Sequence, residues 1–211
     1  MKYSAIIFDL DGTLVNTIEL WTRAYTQTFT DFGIRISAEE FVQDIYIHSM
    51  LLKDALVLKG LTIEDGPAFR AKRDERYIAL LESEAQWIAG VPNVLKNLQK
   101  QLPVAIATGS HRMYTDALDW HLQLYSYAQC TLTCDDVQRG KPAPDMLLLA
   151  AERLAVPPGR CLYVGDQLFD VEAAKAANMT CWLIPNTDTP MRAFHEADAV
   201  LQRFADIPAK L

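Results

Sequence analysis

Short apolar runs alternate along the chain with segments whose apolar residues recur at helical spacing. Runs of consecutive apolar residues predict strands that are buried on both faces, as in a parallel sheet covered by helices. We expect such strands at residues 5–10, 104–107, 161–164 and 180–184, with a weaker edge strand at residues 199–201. This alternation indicates an α/β fold, a Rossmann-like core built on a parallel sheet.

Helices are predicted between these strands from apolar residues three and four positions apart. Val91, Val94, Leu95 and Leu98 form one such face, and further helices are expected at residues 146–154 and 168–177. Asn178 is expected to end the last of these helices, because Asn tolerates the left-handed conformation that usually falls to Gly.

One long segment, from about residue 17 to residue 86, contains helix signals and no convincing strand. Ser37 followed by Glu40 is a capping box that predicts the start of a helix. The charged run at residues 70–76 is expected on the solvated face of another helix. One further helix is indicated by an apolar stripe at Ile18, Trp21, Tyr25, Phe29 and Phe32.

The length of this helical segment far exceeds that of an ordinary connection between two strands. We therefore predict an all-helical cap domain at residues 16–87, inserted after the first strand of a core formed by residues 1–15 and 88–211. Trp21 and Tyr25 are expected to pack in the interior of this cap.

Composition and charge narrow the classes of function. The chain has 211 residues, half of them hydrophobic, and its 20 basic and 27 acidic residues give a net charge of −7. This balance argues against a nucleic-acid partner, which requires clustered Lys and Arg. No apolar stretch approaches the roughly 18 residues of a membrane span, and the first apolar run is too short for a signal peptide. We expect a cytoplasmic protein without a membrane partner; its oligomeric state is open, with a monomer favoured.

The four cysteines, at positions 130, 134, 161 and 181, form no CxxC pair. The pair at 130 and 134 lacks the second pair, or the nearby histidines, that would complete a zinc site. The sequence therefore predicts ordinary free thiols in a reducing compartment.

Chemistry-bearing residues follow the predicted strands. The first strand leads into Asp9-Leu10-Asp11-Gly12-Thr13, and the strand at 104–107 leads into Thr108-Gly109-Ser110. The strand at 161–164 leads into Gly165-Asp166, with Asp170 four residues further on. Ligands of open α/β sheets bind at the carboxyl ends of the strands, so these segments are expected to converge there.

Four carboxylates, those of Asp9, Asp11, Asp166 and Asp170, are thus predicted to meet at one edge of the sheet. Buried together, they would repel one another severely without a cation. Oxygen ligands of this kind suit Mg²⁺. Lys141, in the segment 140–145 at the start of a predicted helix, adds a positive charge.

These four segments, in this order, resemble the motifs of the haloacid dehalogenase superfamily of aspartate-dependent phosphatases and phosphomutases. The resemblance extends from Asp9 to Asp170, and the predicted helical insertion lies where the β-phosphoglucomutase-like and phosphoglycolate phosphatase-like members carry a cap. It implies a Rossmann-like core, an obligate Mg²⁺ and a covalent aspartyl-phosphate intermediate.

The resemblance also implies roles for individual residues. Asp9 would be the nucleophile, and Asp11 would protonate the leaving group and then activate water. Asp9, the backbone carbonyl of Asp11 and Asp166 would hold Mg²⁺, with Asp170 close to the metal or to Lys141. Thr108 and the backbone amide of Gly109 would donate to the transferring phosphoryl group, and Lys141 would add a positive charge beside it. Ser110 and Arg112 are further candidates for binding the substrate.

The substrate implied is a small phosphorylated metabolite, such as a sugar phosphate or a phosphoglycolate-like compound. The cap would close over the phosphate and select the substrate. Candidate specificity residues, each with an equally ordinary surface or packing interpretation, are Glu19, Tyr46, His48, Lys53, His111 and Arg112.

Three alternatives compete with a phosphatase. A phosphosugar mutase needs a second phosphate site, and residues 44–52 offer only His48, with Lys53 nearby. A metal-independent dehalogenase lacks an acid two residues after the nucleophile, where this chain has Asp11. A phospho-receiver domain carries its acceptor after a middle strand, whereas Asp9 follows the first strand.

Overall fold

The computed structural model describes residues 2–43, 56 and 62–211. The chain forms two compact units: Met1–Asn16 together with Ala85–Leu211, and Thr17–Glu84. The second unit begins one residue later and ends three residues earlier than the predicted segment 16–87. None of the described helices is both long and apolar enough to cross a lipid bilayer.

The second unit contains helices wherever the structure assigns regular elements within its described residues. Ser37 and Glu40 form the predicted capping box, each side chain bonded to the other residue's backbone N–H (3.1 and 2.9 Å). The stripe predicted from Ile18 to Phe32 lies on the first helix, with Tyr25 and Phe29 buried. Its helices include α1 (Ile18–Asp31), α2 (Ala38–Phe41) and α3 (Gly66–Glu84).

The charged run at residues 70–76 lies on α3, but the expectation of a fully solvated face is wrong for Arg73. The Arg73 guanidinium lies 4.8 Å from the centre of the Trp21 ring and 5.0 Å from that of Tyr25. The Arg73 side chain is only 12% exposed, because its planar cation stacks on aromatic faces. A hydropathy pattern cannot distinguish such an arginine from a solvated one.

The first unit is built on a six-stranded parallel sheet in the order β3-β2-β1-β4-β5-β6. β1 lies in the interior, where Ile7 pairs with Ala105 on one side and Tyr163 on the other. The strands are β1 (Ala5–Phe8), β2 (Val104–Ala107), β3 (Cys130–Leu132), β4 (Cys161–Gly165), β5 (Thr180–Leu183) and β6 (Ala199–Val200).

The predicted strands are confirmed with small changes of boundary, and β6 is the predicted edge strand. β3 was not predicted, because Cys130 and Thr131 are only partly buried and the element spans three residues. Such a short, half-polar edge strand gives no apolar run. The sheet therefore extends one strand further beyond β2 than the sequence indicates.

Helices cover both faces of the sheet, as expected for buried parallel strands. On one face, Ile7 and Tyr163 pack with α-helical residues such as Met146 and Val171. On the other face, the Phe8 and Phe204 rings lie 5.3 Å apart. The helices of this unit are α4 (Val91–Leu98), α5 (Arg112–Leu122), α6 (Asp145–Arg153), α7 (Leu168–Ala176), α8 (Met191–Glu196) and α9 (Ile207–Lys210).

Candidate active site

The carboxyl ends of β1, β2 and β4 bring the predicted acidic and hydroxyl residues to one edge of the sheet. Asp9 directly follows β1, Thr108 follows β2, and Asp166 follows β4. All three side chains are buried. Because β1 lies between β2 and β4, the three strand ends are neighbours, as the parallel topology requires.

Lys141 connects two of these carboxylates. Its ammonium donates to Asp9 Oδ1 (2.5 Å) and Asp170 Oδ1 (2.6 Å), and to the hydroxyl of Tyr163 (3.0 Å). The Lys141 side chain is only 3% exposed. A buried ammonium with three oxygen partners has all its protons engaged, so its position is fixed.

Asp170 is held on both of its oxygens. Oδ1 accepts from Lys141 and from the hydroxyl of Tyr163 (2.9 Å). Oδ2 accepts from the backbone N–H groups of Asp166 (3.2 Å) and Gln167 (3.0 Å) at the start of α7. A Cβ on Gly165 would lie 2.6 Å from the Asp170 carboxyl carbon, so only glycine fits there. These contacts favour a role for Asp170 in orienting Lys141.

Asp166 is held by three neutral side chains. Oδ1 accepts from the Thr13 hydroxyl (2.8 Å), and Oδ2 accepts from the side-chain amides of Asn186 (2.6 Å) and Gln167 (3.0 Å). Gly12, at φ +81°, turns the chain beside this carboxylate, and a Cβ on it would lie 2.9 Å from Oδ2. The glycine of the first motif therefore serves both the turn and the close approach.

Burial and mutual repulsion disfavour the charged forms of these acids. Burial raises the pKa of Asp9 well above its usual value; Lys141 opposes this shift, and Asp170, Asp166 and Asp11 add to it. Burial has the largest effect on the pKa of Asp166, and repulsion from Asp170 has the next largest. Together they raise this pKa to about 7, although the hydrogen bonds from Thr13 and Gln167 lower it. Burial alone would lower the pKa of Lys141, but Asp170 and Asp9 raise it above the usual value.

The cluster formed by Asp9, Asp166 and Asp170 with Lys141, which we term the carboxylate cluster, fits a divalent cation. One oxygen of each carboxylate lies within 4.8 Å of the others, and all three residues are buried. Three carboxylates and one ammonium leave two uncompensated negative charges when all are ionised. An all-oxygen set with this charge is the donor set that Mg²⁺ prefers.

Asp11 lies beside the loop that follows β2. Its Oδ2 accepts from the hydroxyls of Thr108 (2.8 Å) and Ser110 (2.8 Å). The Ser110 backbone N–H in turn donates to the Thr108 hydroxyl (3.0 Å), and Gly109 between them is exposed. The first and second predicted motifs are therefore in direct contact through a pair of hydroxyl groups.

Other predicted residues lie outside these contacts. The Arg112 guanidinium donates to Asp136 (2.6 Å) and to the backbone carbonyl of Thr131 in β3 (3.1 Å). Glu19 is exposed on α1. Three candidate specificity residues fall outside the described part of the chain: Tyr46, His48 and Lys53.

Three side chains that contact the carboxylate cluster, those of Tyr163, Asn186 and Gln167, were missed by sequence reasoning. Tyr163 sits within a buried strand, and a hydroxyl inside an otherwise apolar run was the available signal. Asn186 lies in the loop after β5, where an amide carries no signal of its own. Thr13 was visible as part of the first motif but had no assigned role.

Comparison with known proteins identifies the family. A sequence profile described as haloacid dehalogenase-like hydrolase matches residues 3–178, most of the chain. This protein is a haloacid dehalogenase-like hydrolase. The match begins just before β1 and ends just after α7, so it includes every motif that contributes to the carboxylate cluster.

Named relatives of this hydrolase include phosphatases. It is 28% identical to the fructose-1-phosphate phosphatase YqaB of Escherichia coli, over 84% of this chain and 94% of that protein. It is 30% identical to the protein CbbY of Cereibacter sphaeroides, over 96% of this chain and 93% of that protein.

The fold of the hydrolase is also found in solved structures. CbbY from Rhodobacter sphaeroides, as an Asp-to-Asn variant in complex with xylulose-(1,5)bisphosphate, has a TM-score of 0.82 to this chain. The two are 27% identical, and the superposition covers 97% of this chain and 96% of that one. The Rossmann-like α/β fold with a helical insertion is therefore that of the family.

Proposed function

We propose that this hydrolase is a Mg²⁺-dependent phosphatase that cleaves a small phosphorylated metabolite through a phosphoenzyme formed on Asp9. The observation that carries the proposal is the carboxylate cluster, in which Asp9, buried after β1, receives a hydrogen bond from Lys141 (2.5 Å). The relatives named as phosphatases of small phosphate esters support the same class of reaction.

Asp9 is the proposed nucleophile. An ionised carboxylate oxygen attacks phosphorus, the bond between phosphorus and the ester oxygen breaks, and an acyl phosphate forms on Asp9. The ammonium of Lys141 favours the ionised form of Asp9, in opposition to its burial, and orients the carboxylate. Asp170 and the Tyr163 hydroxyl hold Lys141 in place from the other side.

Asp11 is the proposed acid and base. It donates a proton to the leaving alkoxide, and then accepts a proton from the water that hydrolyses the acyl phosphate. Thr108 and Ser110 position its carboxyl group in the structure through their hydroxyls. We infer that Thr108 and the backbone amide of Gly109 also donate to the oxygens of the phosphoryl group.

Asp9, Asp166 and the backbone carbonyl of Asp11 are the proposed ligands of Mg²⁺, with Asp170 beside them. When bound, the ion offsets the charge of the carboxylates and that of the phosphate. Thr13, Asn186 and Gln167 fix the orientation of the Asp166 oxygens, as partners of metal ligands commonly do.

The substrate class is a monophosphate ester small enough to be a metabolite. We retain the prediction that the helical unit selects among such esters. A screen of phosphorylated metabolites, each assayed for phosphate release with Mg²⁺ and with EDTA, tests the proposal. We expect turnover with Mg²⁺, its loss in EDTA and its recovery when Mg²⁺ is restored.

The Asp9→Asn variant tests the nucleophile in the same assay. We expect at least a thousandfold loss of kcat, of the order found when other nucleophiles are removed, with an unchanged fold by circular dichroism. Asp206→Asn, which alters a carboxylate paired with Arg203 on the surface, is the control and should keep its activity. Turnover by Asp9→Asn, or metal-independent turnover by the parent, would contradict the proposal.

A phosphosugar mutase remains the alternative outcome. Consumption of a sugar 1-phosphate only in the presence of a bisphosphate primer, without release of phosphate, would indicate the mutase. The residues at 44–52 on which that alternative depends lie outside the described part of the chain. The priming assay therefore decides between the two reactions.

A further inference from the structure

A second group of side chains with metal-ligand chemistry lies on the loops that follow β2 and β3. We term it the thiol cluster: His111, Cys134 and Asp135. His111 Nδ1 lies 2.7 Å from Asp135 Oδ1 and 3.3 Å from Cys134 Sγ, and the Sγ–Oδ1 distance is 3.7 Å. Three different ligand atoms therefore face one another across a space narrower than 4 Å.

Hydrogen bonds already link the three side chains. With a proton on Nδ1, the His111 imidazole and the Cys134 thiol both donate to Asp135 Oδ1 (2.7 and 3.7 Å). A cation that displaces these protons would find the same three atoms as ligands.

The distances are near those of a tetrahedral zinc site. In tetrahedral geometry, bond lengths of about 2.0 Å to nitrogen and oxygen and about 2.3 Å to sulfur imply ligand separations of about 3.3 Å between N and O and about 3.5 Å from S to either. The two separations that involve Cys134 Sγ are 3.3 and 3.7 Å. Only the pair of His111 and Asp135 would have to move apart, by roughly half an ångström.

The backbone holds two of the three ligands in place. The second oxygen of Asp135 accepts from the Arg112 backbone N–H (2.7 Å), and the Cys134 backbone N–H donates to the Ser110 carbonyl (3.1 Å). Such outer contacts orient metal ligands. The side chains of His111 and Asp135 are about half exposed (52% and 46%), so an ion can enter and water can complete its coordination.

We propose that the thiol cluster binds a borderline-soft divalent cation, with Zn²⁺ the best match to its sulfur, nitrogen and oxygen donors. A thiolate and a carboxylate offset the two charges of such an ion, and three protein ligands leave its fourth position open. This site is distinct from the carboxylate cluster and does not depend on the proposed phosphatase activity. It differs from the expectation that the cysteines are ordinary free thiols.

The sequence does not reveal this site because its ligands come from two segments. His111 stands 23 positions before Cys134, in neither of the spacings typical of zinc motifs. The parallel pairing of β2 with β3 brings the two following loops together. Burial, and next the negative charge of Asp135, raise the pKa of the Cys134 thiol to about 11. Without a cation the thiol is therefore protonated at neutral pH, which argues against a redox-active thiolate.

Cobalt titration of the full-length protein tests the proposal. Metal-stripped protein is titrated with Co²⁺ without oxygen, in excess Mg²⁺ so that oxygen-only sites are occupied. A thiolate–cobalt charge-transfer band then reports a site that contains a cysteine. We expect this band to saturate at one Co²⁺ per chain and to disappear when Zn²⁺ is added, since Zn²⁺ takes the same ligands.

Variants identify the ligands. Cys134→Ser should abolish the band, and His111→Gln and Asp135→Asn should each weaken Co²⁺ binding more than about tenfold, the lower end of the loss seen when metal sites are disturbed. Cys130→Ser, which removes the other partly buried thiol, is the matched control and should bind as the parent does. Absence of the band in the parent, its persistence in Cys134→Ser, or parental affinity in both other variants would overturn the proposal.

Discussion

The carboxylate cluster and the thiol cluster lie in the same unit, each at the carboxyl ends of parallel strands, but they differ in burial and in what holds them. The first is buried and includes a cation of its own, Lys141, with hydrogen bonds to two carboxylates. The second is half exposed and rests on backbone hydrogen bonds. The side chains of the carboxylate cluster are therefore held by more contacts within the protein than those of the thiol cluster.

Electrostatics explains the difference. A charge in a dry interior costs several kcal/mol unless it is paired, so the acids of the carboxylate cluster need permanent partners. Charges in the thiol cluster are solvated, and each pair contributes at most about 1 kcal/mol. The comparison implies that substitutions in the carboxylate cluster will lower the free energy of unfolding by several kcal/mol, whereas those in the thiol cluster will change it by at most about 1 kcal/mol.

Lys141→Met should have the largest effect on stability. It keeps a similar volume but leaves Asp9 and Asp170 buried without their cation, which should lower the free energy of unfolding by about 3–5 kcal/mol. Denaturant unfolding measures the change. Lys175→Met, which removes an exposed partner of Glu196, is the control and should cost about 1 kcal/mol or less. Equal losses in the two variants would show that the buried ion pairs of Lys141 contribute no more to stability than the exposed ion pair of Lys175.

Stabilisation by Mg²⁺ should depend on pH through Asp166. Its pKa in the folded, metal-free protein is raised to about 7 from the usual 3.8, so the folded state binds the proton more tightly than the unfolded state does. Stability is therefore lost as pH rises from about 4 to 7, by about 4 kcal/mol from this group. Mg²⁺ competes with that proton.

Thermal unfolding checks this expectation. The rise in Tm on adding Mg²⁺ should be larger at pH 8 than at pH 5.5, because binding at the lower pH must displace protons. Asp166→Asn should remove most of the difference. A Tm increase that is the same at both pH values would show that Asp166 does not control binding.

Tyr163→Phe should have an intermediate effect. It removes the hydroxyl that contacts Asp170 (2.9 Å) and Lys141 (3.0 Å) and leaves the ring in the core. We expect a loss of about 1.5–3 kcal/mol in the free energy of unfolding, the scale of a hydrogen bond to a charged partner. Urea denaturation measures this loss. A variant as stable as the parent would show that the hydroxyl does not stabilise the buried pair of Asp170 and Lys141.

Asp135→Asn should have the smallest effect on folding. The amide oxygen can still accept from the Arg112 backbone N–H, and the lost charge is nearly half exposed. We expect a change of at most about 1 kcal/mol in the free energy of unfolding, measured with the same urea titration. A loss as large as that of Lys141→Met would mean that the thiol cluster is a folding element.

Strong local signals made much of the fold predictable. The end of α7 is one example, since Asn178 has φ +56°, the left-handed conformation expected from its residue type. The buried strands gave clear apolar runs, and the capping box at Ser37 and Glu40 was visible as a motif. Each of these features is encoded within about ten neighbouring residues.

Contacts between distant segments were harder to predict. Asn186 reaches Asp166 from the loop after β5, and only the completed sheet brings them within 2.6 Å. The stacking of Arg73 on Trp21 is likewise a product of packing between α1 and α3. The acidic residues of the carboxylate cluster could be proposed as a group because strand ends and motif order both pointed to them, whereas Asn186 had neither signal.

The interior position of β1 has a consequence for biosynthesis. Ile6 pairs with Val104 on one side and Leu162 on the other, so β1 leaves the ribosome before either of its neighbours and is paired on both sides only once β4 has been made. Until then at least one edge of β1 remains unpaired, a state that exposes a nascent chain to aggregation and lengthens the search for the native topology. A polypeptide truncated before β4 would contain Asp9 but neither Asp166 nor Asp170, and so could not form the carboxylate cluster.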